Sequence, residues 1–119
     1  MPLQLVQGDI AAQTCAAVVT AANQQVAGIL HGGASVALAE TLGSFGAALH
    51  AGPGRRPVGL DINATHHRAA RTGWVTATAV PVTLGGSVAC YEVTISDDEG
   101  RRVCTSRITC ILRDLPPGA

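Results

Sequence analysis

Lysine is absent from the sequence, and its eight arginines are balanced by eight aspartates and glutamates. The resulting net charge of zero argues against a nucleic-acid binder that neutralises phosphates, because that mode of binding needs a surplus of cations. No apolar run reaches about 18 residues, so the sequence predicts no membrane span. A basic segment followed by an apolar block is also missing at the N-terminus, so we expect no signal peptide and a cytoplasmic location.

Aromatic residues are also scarce, at 3% of the 119 residues, although 47% of the chain is hydrophobic. A core must therefore be built from Ala, Val, Leu and Ile side chains, and the length suits one domain without a separate cofactor domain. The four cysteines include no CxxC pair, the spacing that zinc sites typically use, so we expect neither a metal nor a cofactor. Buried free thiols are predicted at Cys15, Cys90, Cys104 and Cys110.

Changes in the period of the hydrophobic pattern divide the chain. An alanine- and leucine-rich stretch at 34–50 predicts a helix, although Gly43 and Gly46 each cost it roughly 1 kcal/mol relative to alanine. This helix is apolar nearly all round, so we expect it to be buried. The glycines and prolines of 51–57 predict a loop. Alternating polarity then predicts four strands, at 58–64, 73–82, 87–95 and 102–113. One helix followed by an antiparallel meander predicts an α+β fold whose sheet wraps around the helix.

Glu40 is the first candidate for chemistry, because it is the only acidic residue between Ile10 and Leu60. It lies in the middle of an otherwise apolar predicted helix, where a carboxylate must pair, face a cleft or point to solvent. We favour a cleft carboxylate that acts as a base or a nucleophile over a solvated side chain.

The sequence His31-Gly32-Gly33 directly precedes this helix. The first amides of a helix have no internal partners and carry the positive end of its dipole. Glycines have no Cβ and let a substrate approach these N–H groups, so a carbonyl oxygen bound there is polarised as in an oxyanion hole. Flexible capping is the alternative for the tripeptide alone, and the presence of Glu40 nine residues after His31 favours a functional role.

A second polar group follows the first predicted strand of the meander and consists of His66, His67, Arg68 and Arg71. Neighbouring residues of a strand face opposite sides, so the two adjacent histidines do not suit one metal site. Arginine is suited to phosphate through its planar fork of donors, and a solvated loop is the alternative.

Three segments resemble a known family: GILHGGASVALAETLGS, VGLDINATHHRAARTGWVTATAVPVTLGG and YEVTISDDEGRRVCTSRIT. They are similar to the hotdog-fold acyl-CoA thioesterases of the PaaI type, a group that includes an enterobactin-pathway proofreading thioesterase and 1,4-dihydroxy-2-naphthoyl-CoA hydrolase. The resemblance covers about residues 25–113 and implies an antiparallel sheet wrapped around a central helix. It also implies hydrolysis of an aromatic or medium-chain acyl-CoA, by a dimer or tetramer whose active site draws on two subunits.

The resemblance assigns roles to the residues that match the motifs of the family. Glu40 matches the catalytic carboxylate, acting as a base for water or as a nucleophile, and Gly32 or Gly33 matches the amide that polarises the thioester carbonyl. Three assisting positions complete the implied catalytic set: Gln25, His31 and Ser44.

The resemblance also implies a binding surface for the substrate. His66 matches the histidine that contacts an aromatic acyl group. Further positions match segments that contact the pantetheine and the nucleotide of CoA: Gly59, His67, Arg68, Ala69, Thr83, Leu84, Gly85, Gly86, Ser87 and Val88. Thr65 and His67 depart from the common residues, and so does Gly86, where a basic residue is often found. The change at Gly86 implies a weaker phosphate contact.

The first 24 residues depart from the family and resemble the opening of a macro domain, the ADP-ribose-binding fold. Asp9 and Asn23 match the residues that meet adenine and ribose there. The glycine-rich loop of that fold does not follow, so we expect one hotdog domain over 1–119, in which the segment 1–24 supplies the first strand, through residues 17–23, and 25–113 form the body. Two alternatives stay open, a chimeric hotdog oligomer with weak activity and an ADP-ribose-binding module.

Overall fold

The computed structural model describes residues 3–6 and 13–118, which form one antiparallel sheet and one long helix. Strands β1 (Leu3–Val6) and β2 (Gln13–Val18) are followed by a 3₁₀ turn at Ala21–Asn23 and by helix α1 (Gly32–Ala51). Four longer strands complete the chain: β3 (Arg55–His66), β4 (Trp74–Leu84), β5 (Val88–Asp97) and β6 (Arg102–Asp114). No helix in this described part of the chain has the length and apolarity needed to cross a membrane.

The six strands are arranged in the order β1-β2-β4-β5-β6-β3, and every neighbouring pair is antiparallel. The sheet wraps around α1, which confirms the predicted α+β architecture. Strands β4, β5 and β6 form the expected meander, but β3 lies beside β6 at an edge of the sheet. The prediction that all four strands follow chain order is wrong, because alternating polarity specifies the two faces of a strand and not its neighbours.

Two predicted boundaries are also wrong. The predicted loop at 51–57 ends early, because Arg55–Pro57 already belong to β3. Pro57 pairs with Leu112, and an edge strand tolerates a proline because one of its sides has no hydrogen-bond ladder. Residues 17–23 do not form the predicted first strand, since β2 ends at Val18 and pairs with both β1 and β4.

Helix α1 packs very closely against the sheet. Its buried residues are Ser35, Leu38, Ala39, Leu42, Gly43, Gly46 and Ala47. A Cβ atom at Gly43 would overlap Cγ2 of Ile108, and one at Gly46 would lie 2.9 Å from Cζ of Tyr91. On its other side, Phe45 and Leu49 are exposed. The expectation that the whole helix is buried is therefore wrong for the single chain, because only one face of it meets the sheet.

Small aliphatic residues and thiols fill most of the core, as the composition predicts. Cys15, Cys104 and Cys110 are buried free thiols, while Cys90 is half-buried. Burial raises the pKa of the Cys15 thiol to about 11, since desolvation disfavours the thiolate. Tyr91 is the one large aromatic side chain in the core, and within the described residues its hydroxyl has no hydrogen-bond partner.

The close helix–sheet contact leads to a testable prediction about the stability of a variant at Gly43. Replacing a helical glycine by alanine normally stabilises a helix by about 1 kcal/mol. We expect the opposite sign for Gly43→Ala, a loss of about 1–3 kcal/mol in the free energy of unfolding, because the added methyl group overpacks against Ile108. Denaturant unfolding measures the change, and Thr41→Ala on the exposed face of the same helix is the control. A Gly43→Ala variant as stable as the parent would contradict the packing.

Candidate active site

Within the described part of the chain, the first turn of α1 has one backbone N–H without a partner. The side chain of His31 caps the helix, its Nδ1 accepting a hydrogen bond from the Gly33 N–H at 2.9 Å. The main-chain oxygen of His31 accepts from the amides of Ala34 and Ser35. Among the described residues, the Gly32 N–H is left without a partner at the positive end of the helix dipole. The two glycines, predicted to precede the helix, form its first turn.

The end of β3 packs against this turn. A Cβ atom at Gly32 would lie 3.0 Å from Nε2 of His66, so the imidazole ring covers the glycine directly. A cavity of about 380 Å³ opens beside this contact. Six of the predicted site residues line it: Gln25, Gly32, His66, His67, Arg68 and Ala69. The fold therefore brings together residues that lie up to 44 positions apart in the sequence.

The side chain of Gln25 is oriented by its own loop. Its Oε1 accepts a hydrogen bond from the Ala27 N–H, and its backbone bonds to Ile29 and Gly28. Gly28 has a φ of 75°, which favours glycine at this turn. With its oxygen bonded to the loop, the carboxamide keeps its Nε2 donor, for which no partner is found among the described residues.

Glu40 lies at a second cavity, of about 320 Å³, which it shares with Gly59, Ile62 and Ile108. Its Oε1 is 3.9 Å from the position that a Cβ of Gly59 would take. The pairing of β3 with β6 shifts between Gly59 and Asp61, so the strand carries a bulge directly under the carboxylate. Glu40 is exposed in the single chain, as a carboxylate at the mouth of a cleft would be.

Ser44 follows Glu40 by one helical turn and lies above Cys110 of β6. Burial raises the pKa of the Cys110 thiol, and the negative charge of Glu40 raises it further, while a hydrogen bond from Ser44 acts in the opposite direction. Cys110 also pairs with Gly59 across the two strands. The thiol thus lies below the carboxylate and the hydroxyl, a neighbour that the sequence did not single out.

The two cavities are separate within one chain. Glu40 follows Gly32 by eight residues along α1, which places them about 12 Å apart along the helix axis at 1.5 Å per residue. One thioester group cannot contact both, because hydrogen bonds span about 3 Å.

The remaining predicted residues lie at the far end of the helix. Thr83, Leu84, Gly85, Gly86, Ser87 and Val88 form the β4–β5 hairpin. Nε2 of His50 lies 2.7 Å from the Gly85 oxygen, and the Arg55 guanidinium donates to the Gly86 oxygen. Neither His50 nor Arg55 was predicted as a site residue, and the RRP sequence at the start of β3 was the available signal.

The macro-domain interpretation finds no support in the described residues. Asp9 lies outside them. Oδ1 of Asn23 accepts from the Thr20 N–H, and its Nδ2 donates to the Val18 oxygen, so the side chain fixes its own turn. No group of three or more His, Cys, Asp or Glu side chains in the described ranges gathers as metal ligands.

Comparison with known proteins relates this arrangement to one family. Residues 27–104 match the thioesterase superfamily. The proofreading thioesterase EntH of Cronobacter sakazakii is 50% identical over 82 residues, which cover 69% of this chain and 60% of that protein. EntH of Klebsiella pneumoniae is 46% identical over 90 residues, covering 76% of this chain and 66% of that protein. The chain thus spans about three fifths of the length of such curated relatives.

Solved structures of other thioesterases have the same fold. A thioesterase from Haemophilus influenzae superimposes with a TM-score of 0.93 at 36% identity, covering 98% of this chain and 82% of the other. A mutant thioesterase from Pseudomonas aeruginosa gives a TM-score of 0.92 at 35% identity, covering 95% of this chain and 82% of the other. These superpositions confirm the hotdog fold.

Proposed function

The chain belongs to the thioesterase superfamily, and from that premise we propose that it hydrolyses an acyl-CoA to a free acid and CoA. The observation that carries the proposal is the Gly32 N–H at the start of α1, which has no partner among the described residues and shares a cavity with His66 and Gln25. Such a donor is free to bind the oxygen of a thioester carbonyl. Gly33 is the weaker candidate of the two glycines, because its N–H is already bonded to His31.

Glu40 supplies the chemical step. As a base, it takes a proton from water while the water oxygen attacks the carbonyl carbon, and the resulting oxyanion accepts a hydrogen bond from Gly32. When the carbon–sulfur bond breaks, the thiolate of CoA takes the proton from Glu40. As a nucleophile, Glu40 instead attacks the carbonyl carbon and expels the thiolate of CoA, and water then opens the resulting anhydride to the free acid and the Glu40 carboxylate. Both routes need the carboxylate and the amide on opposite sides of one thioester.

Two neighbours assist these groups. Because Nδ1 of His31 accepts from Gly33, the ring proton resides on Nε2 and is available to the substrate. Ser44, one helical turn after Glu40, is placed to bond the carboxylate or the attacking water.

Two copies of the chain complete the site. The separation of about 12 Å between Gly32 and Glu40 is closed when the helix start of one protomer faces the carboxylate of its partner. Within the described sheet, β3 is an edge strand of 12 residues that pairs only with β6, which offers an edge for a second copy. Apolar side chains near this region are exposed in the single chain: Phe45, Leu49, Val58 and Leu60. A dimer, or a dimer of dimers, covers them.

The cavity beside Glu40 sets the class of acyl group. Its walls include the aliphatic side chains of Leu60, Ile62 and Ile108. These walls suit an aromatic or a medium-chain acyl group, with His66 of the other protomer against it. A cytoplasmic location, in which the four free thiols stay reduced, belongs to the same proposal.

The role of Glu40 is tested by Glu40→Gln, which keeps the shape of the side chain and removes its charge. We expect kcat for benzoyl-CoA to fall by a factor of about 10² or more, the range of general-base contributions, in an assay of thiol release. Glu92→Gln, at an exposed glutamate of β5, is the matched control and keeps its turnover. Full turnover by the Glu40 variant would remove this residue from the mechanism.

The role of the Gly32 amide is tested by Gly32→Pro, compared with Gly32→Ala. Both variants place a Cβ against His66, but only proline removes the N–H. Proline is well tolerated as the first residue of a helix, and His31 already has the extended backbone that precedes a proline, with φ −63° and ψ 131°. We expect Gly32→Pro to lose a further factor of about 10²–10³ in kcat relative to Gly32→Ala. Equal activity of the two variants would contradict the oxyanion role.

A site shared between protomers predicts complementation. Glu40→Gln and Gly32→Pro damage opposite halves of the site, so a mixed dimer contains one doubly damaged site and one intact site. After the two inactive variants are unfolded and refolded together at equal concentrations, we expect about a quarter of the parent activity, since half of the dimers are mixed and each has one good site. Refolding each variant alone is the control. Failure to recover activity, with mixed dimers present by mass spectrometry, would contradict a shared site.

A further inference from the structure

Ser35, at the start of α1, is a buried polar residue that the proposed mechanism does not use. Only 2% of the residue is exposed, and it lines the cavity of about 380 Å³ together with Gly32, Gln25 and His66. A hydroxyl removed from water in this way normally has a hydrogen-bond partner. In the described part of the chain, the Ser35 hydroxyl has none. Unlike the Tyr91 hydroxyl, which is sealed in the core, Ser35 borders a cavity that a ligand can enter.

The usual acceptor for a helical hydroxyl is already occupied at Ser35. Serine and threonine within a helix commonly donate to the main-chain oxygen four residues earlier. Thr41 does so in α1, since its Oγ1 donates to the Ala37 oxygen at 2.7 Å. The corresponding oxygen for Ser35 is that of His31, which accepts from the amides of Ala34 at 2.9 Å and of Ser35 at 3.2 Å. A carbonyl oxygen has two lone pairs, so this one has no capacity left for the hydroxyl.

Ser35 lies on the same face of the helix as Gly32, because it follows that glycine by three residues. Side chains of a helix tilt toward its N-terminus, which directs the Ser35 side chain toward the first turn and the Gly32 N–H. Residues in this relation are about 5–6 Å apart, measured between their Cβ positions. One oxygen atom that accepts from both groups, at about 3 Å from each, spans this separation. Both donors belong to one protomer, so the arrangement does not depend on how two copies meet.

We propose that Ser35 is a further catalytic residue, which donates a second hydrogen bond to the carbonyl oxygen of the thioester. The inference rests on the proposed function and adds a side chain to its oxyanion site. When the carbonyl carbon is attacked, negative charge develops on its oxygen. The Gly32 N–H and the Ser35 O–H donate to this oxygen, and each keeps its proton. Because these hydrogen bonds strengthen as the charge develops, they stabilise the transition state more than the bound substrate.

The test compares Ser35→Ala, which removes the hydroxyl, with Ser35→Cys, which keeps the shape of the side chain but is a weak donor. We expect kcat for benzoyl-CoA to fall about 10–100-fold in both variants while KM changes less than about threefold, because the lost bond is made mainly in the transition state. Thr41→Ala is the matched control, since it removes a hydroxyl from the same helix outside both cavities, and it keeps its turnover. Parent-like kcat in either Ser35 variant overturns the inference and leaves the proposed function intact.

Stability separates this catalytic role from a structural one. Ser35→Ala deletes a buried hydroxyl that has no partner in the described chain, and alanine is the better helix former. We therefore expect the melting temperature to stay unchanged or to rise by up to about 6 °C while kcat falls. If Ser35→Ala lowers both kcat and the melting temperature, the hydroxyl stabilises the start of the helix, and the inference is overturned.

A bound carbonyl analogue gives a readout that does not need turnover. Phenacyl-CoA has a CH₂ group between its sulfur and its carbonyl, so it cannot be hydrolysed. Hydrogen bonds to the carbonyl oxygen lower its infrared stretching frequency, and we expect Ser35→Ala to lose about half of the shift seen with the parent, since one of two donors is removed. Equal shifts overturn the inference. If the parent binds phenacyl-CoA without hydrolysing benzoyl-CoA, the proposed function fails and this shift decides the inference; if it does neither, both fail.

Discussion

The close approach of α1 to the sheet at Gly43 and Gly46 is the contact on which the candidate site depends. A side chain at either position would lift the helix away from Ile108 or Tyr91. The same helix holds Gly32 against His66 at its start and Glu40 above Gly59 in its middle. Because these contacts are all made by one rigid helix, a change in the distance between the helix and the sheet would displace them together. The roughly 1 kcal/mol that each glycine costs the helix is offset by the packing that it permits.

The helix also sets the distances between the groups of the site. Gly32, Glu40 and His50 lie at fixed positions along one axis, about 12 Å and about 15 Å apart. The first distance is too long for one thioester to contact both the amide and the carboxylate within a chain. Under the proposed function, a single straight helix therefore serves two different substrate molecules when two copies face each other, because it offers its first amide to one and its carboxylate to the other.

Local patterns in the sequence predicted where the helix and most strands lie, but they did not predict which strands pair with each other. The helix and the strands β4, β5 and β6 follow from composition and alternation. The place of β3 beside β6 does not, because its alternation is equally compatible with either neighbour. Arg55–Pro57 were assigned to a loop since Pro57 normally interrupts strands, and only a position at the sheet edge makes it acceptable.

The family resemblance supplied the residues of the candidate site, and the fold supplied the distances between them. Both glycines before Ala34 looked equivalent in sequence. The structure separates them through one hydrogen bond from Gly33 to His31, which no periodicity reveals. No sequence pattern marked Cys110 as a neighbour of the site, because a buried cysteine is an ordinary core residue. Its place under Glu40 arises from the pairing of β6 with Gly59.

Two charged corners of the sheet differ in how far the charges are satisfied by neighbouring residues. At the β5–β6 turn, Asp97 accepts bonds from the backbone and the guanidinium of Arg101 at 2.9 Å. Desolvation opposes these bonds, but they prevail and lower the pKa of Asp97. Asp98 accepts from the Trp74 N–H, so these charges are used in holding the turn. At the opposite corner, Arg56 and Arg113 face each other across the register, and the carboxylate nearest to them bonds Arg55 and is itself largely exposed. The β5–β6 turn thus satisfies its charges with its own residues, whereas the cross-strand repulsion between Arg56 and Arg113 is reduced only by the solvent and salt around two exposed side chains.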